Sequence, residues 1–170
     1  ESMMLLVDAG NTRIKWALVD EGAGLGAWRA GGAGLHADLD HIALEWAASG
    51  CTRALVSNVA GPALGERIAA ALPAGIEVEW FASTPTRAGL RNGYREPSRL
   101  GCDRFAAAIG ARALAPSQDL IVATCGTATT VDAVRSDGLF VGGMILPGLA
   151  LMASSLARNT AQLPLVAAGT

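Results

Sequence analysis

Two short segments of this chain carry residue types suited to holding phosphate. Asp8-Ala9-Gly10-Asn11-Thr12 follows the apolar run Met3–Val7, and Gly126-Thr127-Ala128-Thr129-Thr130 follows Leu120–Ala123. Each stands at the end of one predicted strand and leads into another, Ile14–Val19 and Val131–Val134. A glycine in such a strand–turn–strand loop has no Cβ, so backbone N–H groups can approach an anion closely. Asp8 falls at the carboxyl end of its strand, where open α/β sheets place ligands. A carboxylate there suits Mg²⁺ beside a phosphate chain. Gly10, Asn11 and Thr12 offer donors, and Lys15, the one lysine, adds a positive charge from the next strand. Taken singly, the first loop is equally an ordinary Gly-Asn hairpin, and the threonines of the second fit strand packing better than binding. Two equivalent loops, each opening its own β-rich segment, predict two related lobes closing on one nucleotide.

A third constellation lies between them: Asn92-Gly93-Tyr94-Arg95-Glu96-Pro97, then Leu100-Gly101-Cys102-Asp103-Arg104. Asp103 and Arg104 fall at a predicted helix N-terminus, where the dipole favours anions. Such a site keeps a carboxylate ionised and attracts an anionic substrate. Taken alone, Asp103 is more simply an N-cap and Arg104 a surface arginine. Asp132, on the strand after the second loop, is read as facing solvent or a metal. Gly142-Gly143 and Pro147-Gly148 read as turn and helix-entry residues lining the nucleotide cleft. His36 and His41 flank a helix without a partner motif and are read as surface residues.

These residues need a scaffold to position them. Strands are predicted over residues 3–8, 14–19 and 25–30, with glycine-containing turns between them. Leu39, Ile42, Ala43 and Trp46 recur at three- and four-residue steps and predict a helix over residues 36–49, stopped by Gly50. A strand over 53–57, a helix over 63–72 and a strand over 76–81 complete the order βββαβαβ. That order matches one lobe of the ribonuclease-H-like (actin-like ATPase) α/β fold. Residues 84–98, with Pro85, Gly89, Gly93 and Pro97, read as a loop, and 104–115 as a helix capped by Asp103. Strands over 119–124, 128–134 and 139–145 and a helix over 149–158 then start a second, related lobe. The expected division is a first lobe over 1–115 and an incomplete second lobe over 116–170. The tail 163–170 reads as a chain interrupted within a loop, and residues 1–3 as including a cloning remnant.

The composition sets the class. The chain has 170 residues, 51% of them hydrophobic, 21 glycines and a formal net charge of −2. That describes a soluble α/β enzyme domain rather than a disordered chain. Arginines are scattered, and a nucleic-acid-binding face needs clustered cations, so no nucleic-acid partner is expected. The three cysteines, Cys51, Cys102 and Cys125, lack metal spacing and read as reduced thiols in a cytoplasmic protein. The longest apolar stretch, 139–153, is broken by Gly142, Gly143, Pro147 and Gly148, so no membrane span is expected.

In this order and spacing, the three constellations resemble type III pantothenate kinase, of the acetate kinase/Hsp70/actin superfamily, in the subgroup named after the Bvg accessory factor. Asp8, Ala9, Gly10, Asn11, Thr12, Arg13, Ile14 and Lys15 match the first phosphate motif, and Gly126–Thr130 is similar to the second. Asn92-Gly93-Tyr94 and Gly101-Cys102-Asp103-Arg104 resemble the substrate loop and catalytic helix; residues 142–148 and 160–164 fit the segment that follows. The resemblance implies ATP-dependent phosphorylation of pantothenate to 4′-phosphopantothenate, for coenzyme A synthesis. Asp103 would accept the proton; Tyr94, Gly101, Cys102, Asp103 and Arg104 would hold pantothenate. Asp8 through Lys15, with Thr127, would hold ATP, with Mg²⁺ at Asp8. A K⁺ or NH₄⁺ site would fall at Thr124, where a hydroxyl stands in place of the family's usual carboxylate and makes a weaker ligand. The resemblance also implies a homodimer. The sequence supports this in the apolar series Leu146, Leu149, Met152, Leu156 and Leu163, which a small lobe would struggle to cover. The rivals are another small-molecule kinase of the superfamily and a non-catalytic regulatory protein.

Overall fold

The computed structural model describes residues 2–167. The first residue of the expected cloning remnant and the last three of the expected interrupted tail lie outside the described residues. In chain order the elements are β1 (Met3–Ala9), β2 (Arg13–Asp20), β3 (Trp28–Leu35), α1 (Leu39–Ala48), β4 (Arg53–Asn58), α2 (Pro62–Ala71) and β5 (Glu77–Trp80). Then come β6 (Thr86–Arg87), β7 (Leu90–Asn92), α3 (Cys102–Leu114), β8 (Leu120–Cys125), β9 (Ala128–Val134), β10 (Leu139–Pro147) and α4 (Leu149–Asn159). Short 3₁₀ turns cover His36–Asp38 and Pro97–Arg99. By its contacts the chain divides into two units. The first takes the residues up to Ser83 with Leu100–Phe105; the second takes Thr84–Arg99 and the chain from Ala106 onward.

The first unit is a five-stranded sheet in the order β3-β2-β1-β4-β5. Its first three strands are antiparallel, and β4 and β5 run parallel to β1. This is the ribonuclease-H-like order expected of βββαβαβ. Side chains alternate across a strand, so Leu5, Val7 and Ala9 of β1 go into the core with Ile14, Trp16 and Leu18 of β2. Leu39, Ile42 and Trp46 of α1 and Leu64 and Ile68 of α2 close that core. The same alternation turns Asp8 to the other face of the sheet.

The second unit is a sheet in the order β6-β7-β10-β9-β8. Its β8-β9-β10 meander is antiparallel, repeating β1-β2-β3, and α4 follows it. Among the described residues β8 pairs only with β9, whereas β1 is paired on both edges, and no counterparts of β4 and β5 occur. The apolar series Leu146, Leu149, Met152, Leu156 and Leu163 is exposed throughout.

Three sequence expectations shift. The third strand spans Trp28–Leu35 rather than 25–30. Glycine weakens a strand locally, but a Cβ on Gly32 would come within 2.9 Å of Nε1 of the buried Trp16 indole. Glycine is therefore what lets the strand lie there. The expected loop over 84–98 contains the β6–β7 hairpin, held by parallel pairing of β7 with β10. By contacts, residues 84–99 go with the second unit. Finally, α3 begins at Cys102, two residues early, which puts Asp103 inside the first helical turn rather than at the N-cap.

Candidate active site

The first loop is a tight link between β1 and β2. Gly10 N–H donates to the Arg13 carbonyl at 2.9 Å, and Asp8 stands directly opposite Lys15 in the strand pairing. Their side chains meet at 3.5 Å, both roughly half exposed. An exposed pair of this kind contributes little stability, about 0–1 kcal/mol, so its effect is to fix where the two charges stand. Asn11, Thr12 and Arg13 are exposed, while Ala9 and Ile14 on either side are buried and anchor the loop. Gly10 is outside the left-handed region, and a Cβ there would meet nothing closer than the Arg13 carbonyl at 3.4 Å. The fold itself does not demand glycine at this position, which suits close approach by a ligand.

The carboxyl end of β4 lies beside this loop, because Asp8 pairs with Ser57 and Ala9 with Asn58. From there the structure reaches α3. Ser57 Oγ lies 3.3 Å from Cys102 Sγ, and Sγ lies 3.7 Å from the Asn58 carbonyl. A carbonyl only accepts, so the thiol donates to Asn58 and the Ser57 hydroxyl donates to sulfur. The Phe81 and Phe105 rings, 6.2 Å apart, make a second attachment of the first turn of α3. This turn carries Asp103, whose Oδ1 accepts the Arg104 N–H at 2.8 Å. A Cβ on Gly101 would stand 2.8 Å from the same oxygen. Glycine at 101 thus leaves room for the Asp103 carboxylate, which is half-buried. Arg104 is buried, at 8% exposure, and is not the surface arginine of the simpler reading.

The second unit holds the other sequence-derived residues. Gly126 N–H donates to the Ala128 carbonyl at 3.0 Å, and Gly148 N–H to the Thr127 carbonyl at 2.9 Å. Gly148 is buried against this loop: a Cβ there would collide with the Gly126 carbonyl and stand 2.6 Å from that of Thr127. The N-terminus of α4 therefore abuts the loop. Gly126 itself, like Gly10, has no left-handed backbone and no close neighbour. Thr124 is exposed on β8, opposite Thr130. Tyr94 is half-buried, its ring 6.2 Å from that of Phe140, and its N–H donates to Asn92 Oδ1 at 3.1 Å. Asp132 does not face solvent: it is 2% exposed and lies beneath Gly143, where a Cβ would collide with its Oδ1.

Asp8, Gly10, Lys15, Cys102 and Asp103 thus share the first unit, while Tyr94 and Thr127 belong to the second. Sequence reasoning missed Ser57, which no motif marks. It also read His36 as a surface residue, whereas its ring nitrogen lies 2.7 Å from the Gly10 carbonyl. Two carboxylates, one lysine and glycine loops can bind an anionic ligand, hold a divalent cation and accept a proton. Among the described residues no group of three His, Cys, Asp or Glu side chains could hold a metal ion alone. Asp8 fits an ion such as Mg²⁺ that keeps its waters and takes further oxygens from a phosphate chain. No helix among the described residues is long and apolar enough to cross a membrane.

Comparison with known proteins gives a concordant result. A family model for type III pantothenate kinase matches residues 4–170. The type III pantothenate kinase of Herminiimonas arsenicoxydans is 60% identical over 171 residues, covering 97% of this chain and 66% of that one. That of Janthinobacterium sp. (strain Marseille) is 56% identical, with 97% and 66% covered. That of Burkholderia thailandensis is 48% identical, with 95% and 62% covered. The chain therefore spans slightly less than two thirds of the length of these curated relatives. Among solved structures, the ethanolamine utilization protein EutJ from Carboxydothermus hydrogenoformans matches with a TM-score of 0.53 at 18% identity, over 97% of this chain and 59% of that one. A protein assigned as a 2-dehydro-3-deoxygalactonokinase from Sinorhizobium meliloti matches with a TM-score of 0.52 at 15% identity, over 92% and 57%. At such identities the likeness is one of fold.

Proposed function

This chain belongs to the type III pantothenate kinase family, and from that membership we propose that its protein transfers the γ-phosphoryl group of ATP to the primary hydroxyl of pantothenate. The product would be 4′-phosphopantothenate, for coenzyme A synthesis, and the setting cytoplasmic. The observation that best supports the reading is the Ser57–Cys102 contact, which brings the turn bearing Asp103 to the strand beside Asp8.

In the proposed reaction the hydroxyl oxygen of pantothenate bonds to the γ-phosphorus while the bond to the β,γ-bridging oxygen breaks, and ADP leaves. The hydroxyl proton passes to the Asp103 carboxylate, which needs only to be within reach as the new bond forms. Phosphoryl transfer has a loose transition state, so positioning and charge neutralisation do most of the work. Asp8 would hold Mg²⁺ beside the ATP phosphates, where the ion supplies charge neutralisation. Gly10, Asn11, Thr12 and Lys15 would bind phosphate oxygens from one loop and Thr127 from the other. Arg104 and Tyr94 would hold the carboxylate-bearing acceptor. Thr124 offers only a hydroxyl to K⁺ or NH₄⁺, so weak monovalent-cation dependence is part of the proposal, as is a homodimer.

A screen of phosphoryl acceptors, pantothenate, sugars and acetate, with the full-length protein and ATP tests the reading. Phosphorylation of pantothenate in preference to sugars and acetate is expected. Preference for a sugar or acetate would move the assignment to another kinase of the superfamily, and no ATP turnover with any acceptor would remove the kinase reading.

A further inference from the structure

His36 Nε2 lies 2.7 Å from the carbonyl oxygen of Gly10. A carbonyl has no proton to give, so Nε2 carries the proton and donates. The two residues are 26 positions apart, and His36 sits at the entry to α1, outside every phosphate motif. Its backbone is fixed from both sides. Arg67 Nη2 of α2 donates to the His36 carbonyl at 3.0 Å, and the preceding Leu35 N–H donates to Asp38 Oδ2 at 2.7 Å.

The Gly10 carbonyl belongs to the same planar unit as the Asn11 N–H. Among the described residues no peptide bond is cis, and in a trans peptide the C=O and N–H point in opposite directions. A ring that holds the Gly10 carbonyl therefore aims the Asn11 N–H away from itself. Without that hold the unit could rotate readily, because Gly10 has no Cβ to bar the alternatives. The loop's own hydrogen bond, from Gly10 N–H to Arg13, fixes the preceding peptide, while His36 holds this one.

We propose that His36 is a positioning residue of the first phosphate loop, clamping the Gly10 carbonyl so that the Asn11 N–H is presented to the phosphate chain of the nucleotide. This rests on the reading of that loop as a phosphate site. The ring does not touch the ligand; it lowers the cost of binding by fixing a donor beforehand.

Three variants of the full-length protein test it: His36→Ala, His36→Gln and His36→Asn. The glutamine amide nitrogen takes the place of Nε2, whereas the shorter asparagine amide reaches only the place of Nδ1. Two quantities are read: hydrogen exchange of the amides of residues 10–13 without ligand, and the dissociation constant for Mg-ATP. Loss of one such hydrogen bond predicts about tenfold faster exchange and about tenfold weaker Mg-ATP binding in the alanine and asparagine variants. The glutamine variant should remain within about threefold of wild type in both. The KM for pantothenate should not move, as it would if the whole unit were disturbed. Unchanged exchange and affinity in the alanine variant would overturn the proposal, as would glutamine behaving like asparagine. If the alanine variant does not fold, the comparison of glutamine with asparagine decides. If the wild type binds no Mg-ATP, the phosphate reading fails and the proposed presentation of Asn11 with it, while the exchange arm still shows whether His36 holds the loop.

Discussion

Ser57 Oγ and Cys102 Sγ lie 3.3 Å apart, joining residues 45 positions distant in the chain. Ser57 is the strand partner of Asp8, and Cys102 precedes Asp103. One contact between a hydroxyl and a thiol thus connects the proposed metal-holding carboxylate to the proposed base. The thiol is half-buried, donates to the Asn58 carbonyl and receives the Ser57 hydroxyl.

Gly101→Ala is expected to lower turnover without lowering stability. The new Cβ would stand 2.8 Å from Asp103 Oδ1, and a flexible carboxylate can give way. Displacing a reacting group by about 1 Å can cost about 100-fold in rate. We expect kcat to fall by about 10- to 100-fold with the thermal midpoint and the KM for ATP near wild type. A wild-type kcat would show that the carboxylate's position here does not matter to the reaction.

Asp8→Ala should fold normally and lose productive Mg-ATP binding. Asp8 is on the face of β1 away from the helical core and pairs with the half-exposed Lys15. Calorimetric titration with nucleotide, with and without Mg²⁺, checks this. The Mg²⁺-dependent part of the affinity should vanish while the circular dichroism spectrum is retained. Unchanged Mg-ATP affinity, or a global loss of structure, would make Asp8 a structural residue.

Gly10→Ala and Gly32→Ala should fail in opposite ways. At Gly10 a methyl meets only the Arg13 carbonyl at 3.4 Å, so stability should hold and nucleotide affinity fall. At Gly32 it meets the indole of buried Trp16 at 2.9 Å, an overpacking change that costs about 1–3 kcal/mol. Denaturant unfolding and nucleotide titration of both variants separate the two cases. Equal destabilisation would mean that the fold, not the ligand, selects glycine at position 10.

The uncovered apolar series on β10, α4 and the tail leads us to expect a dimer in solution. Leu149 is 68% exposed and Leu156 54%, and an exposed apolar series, unlike a single surface leucine, marks an interaction surface. Sedimentation equilibrium of the full-length protein should show a dimer, and a protein that stays monomeric at high concentration would reject that expectation.

Much of the scaffold was legible because its signals are local. The strand-end Asp8, the Gly-Asn turn, the three- and four-residue apolar spacing of α1 and the glycine stops each depend on a few neighbouring residues. The failures are non-local. β3 runs through Gly31, Gly32 and Gly34 because Trp16 and Ile42 pack over it, which no window on those glycines reveals. β7 has three residues, too few to announce a strand, and takes its place by pairing with a strand about 48 residues on. Asp132 lies under Gly143 and His36 reaches Gly10 only once the sheets have formed. Polar side chains in such places carry no periodicity, so composition and spacing pass over them.

The central claim is that Asp103 takes the acceptor's proton beside a nucleotide held by the first loop. Asp103→Asn in the full-length protein tests it most directly, because the amide keeps the shape of the side chain and loses the base. We predict that pantothenate phosphorylation falls by about 100- to 10,000-fold while the dissociation constant for Mg-ATP stays within about threefold of wild type. Near-normal turnover by this variant would contradict the account.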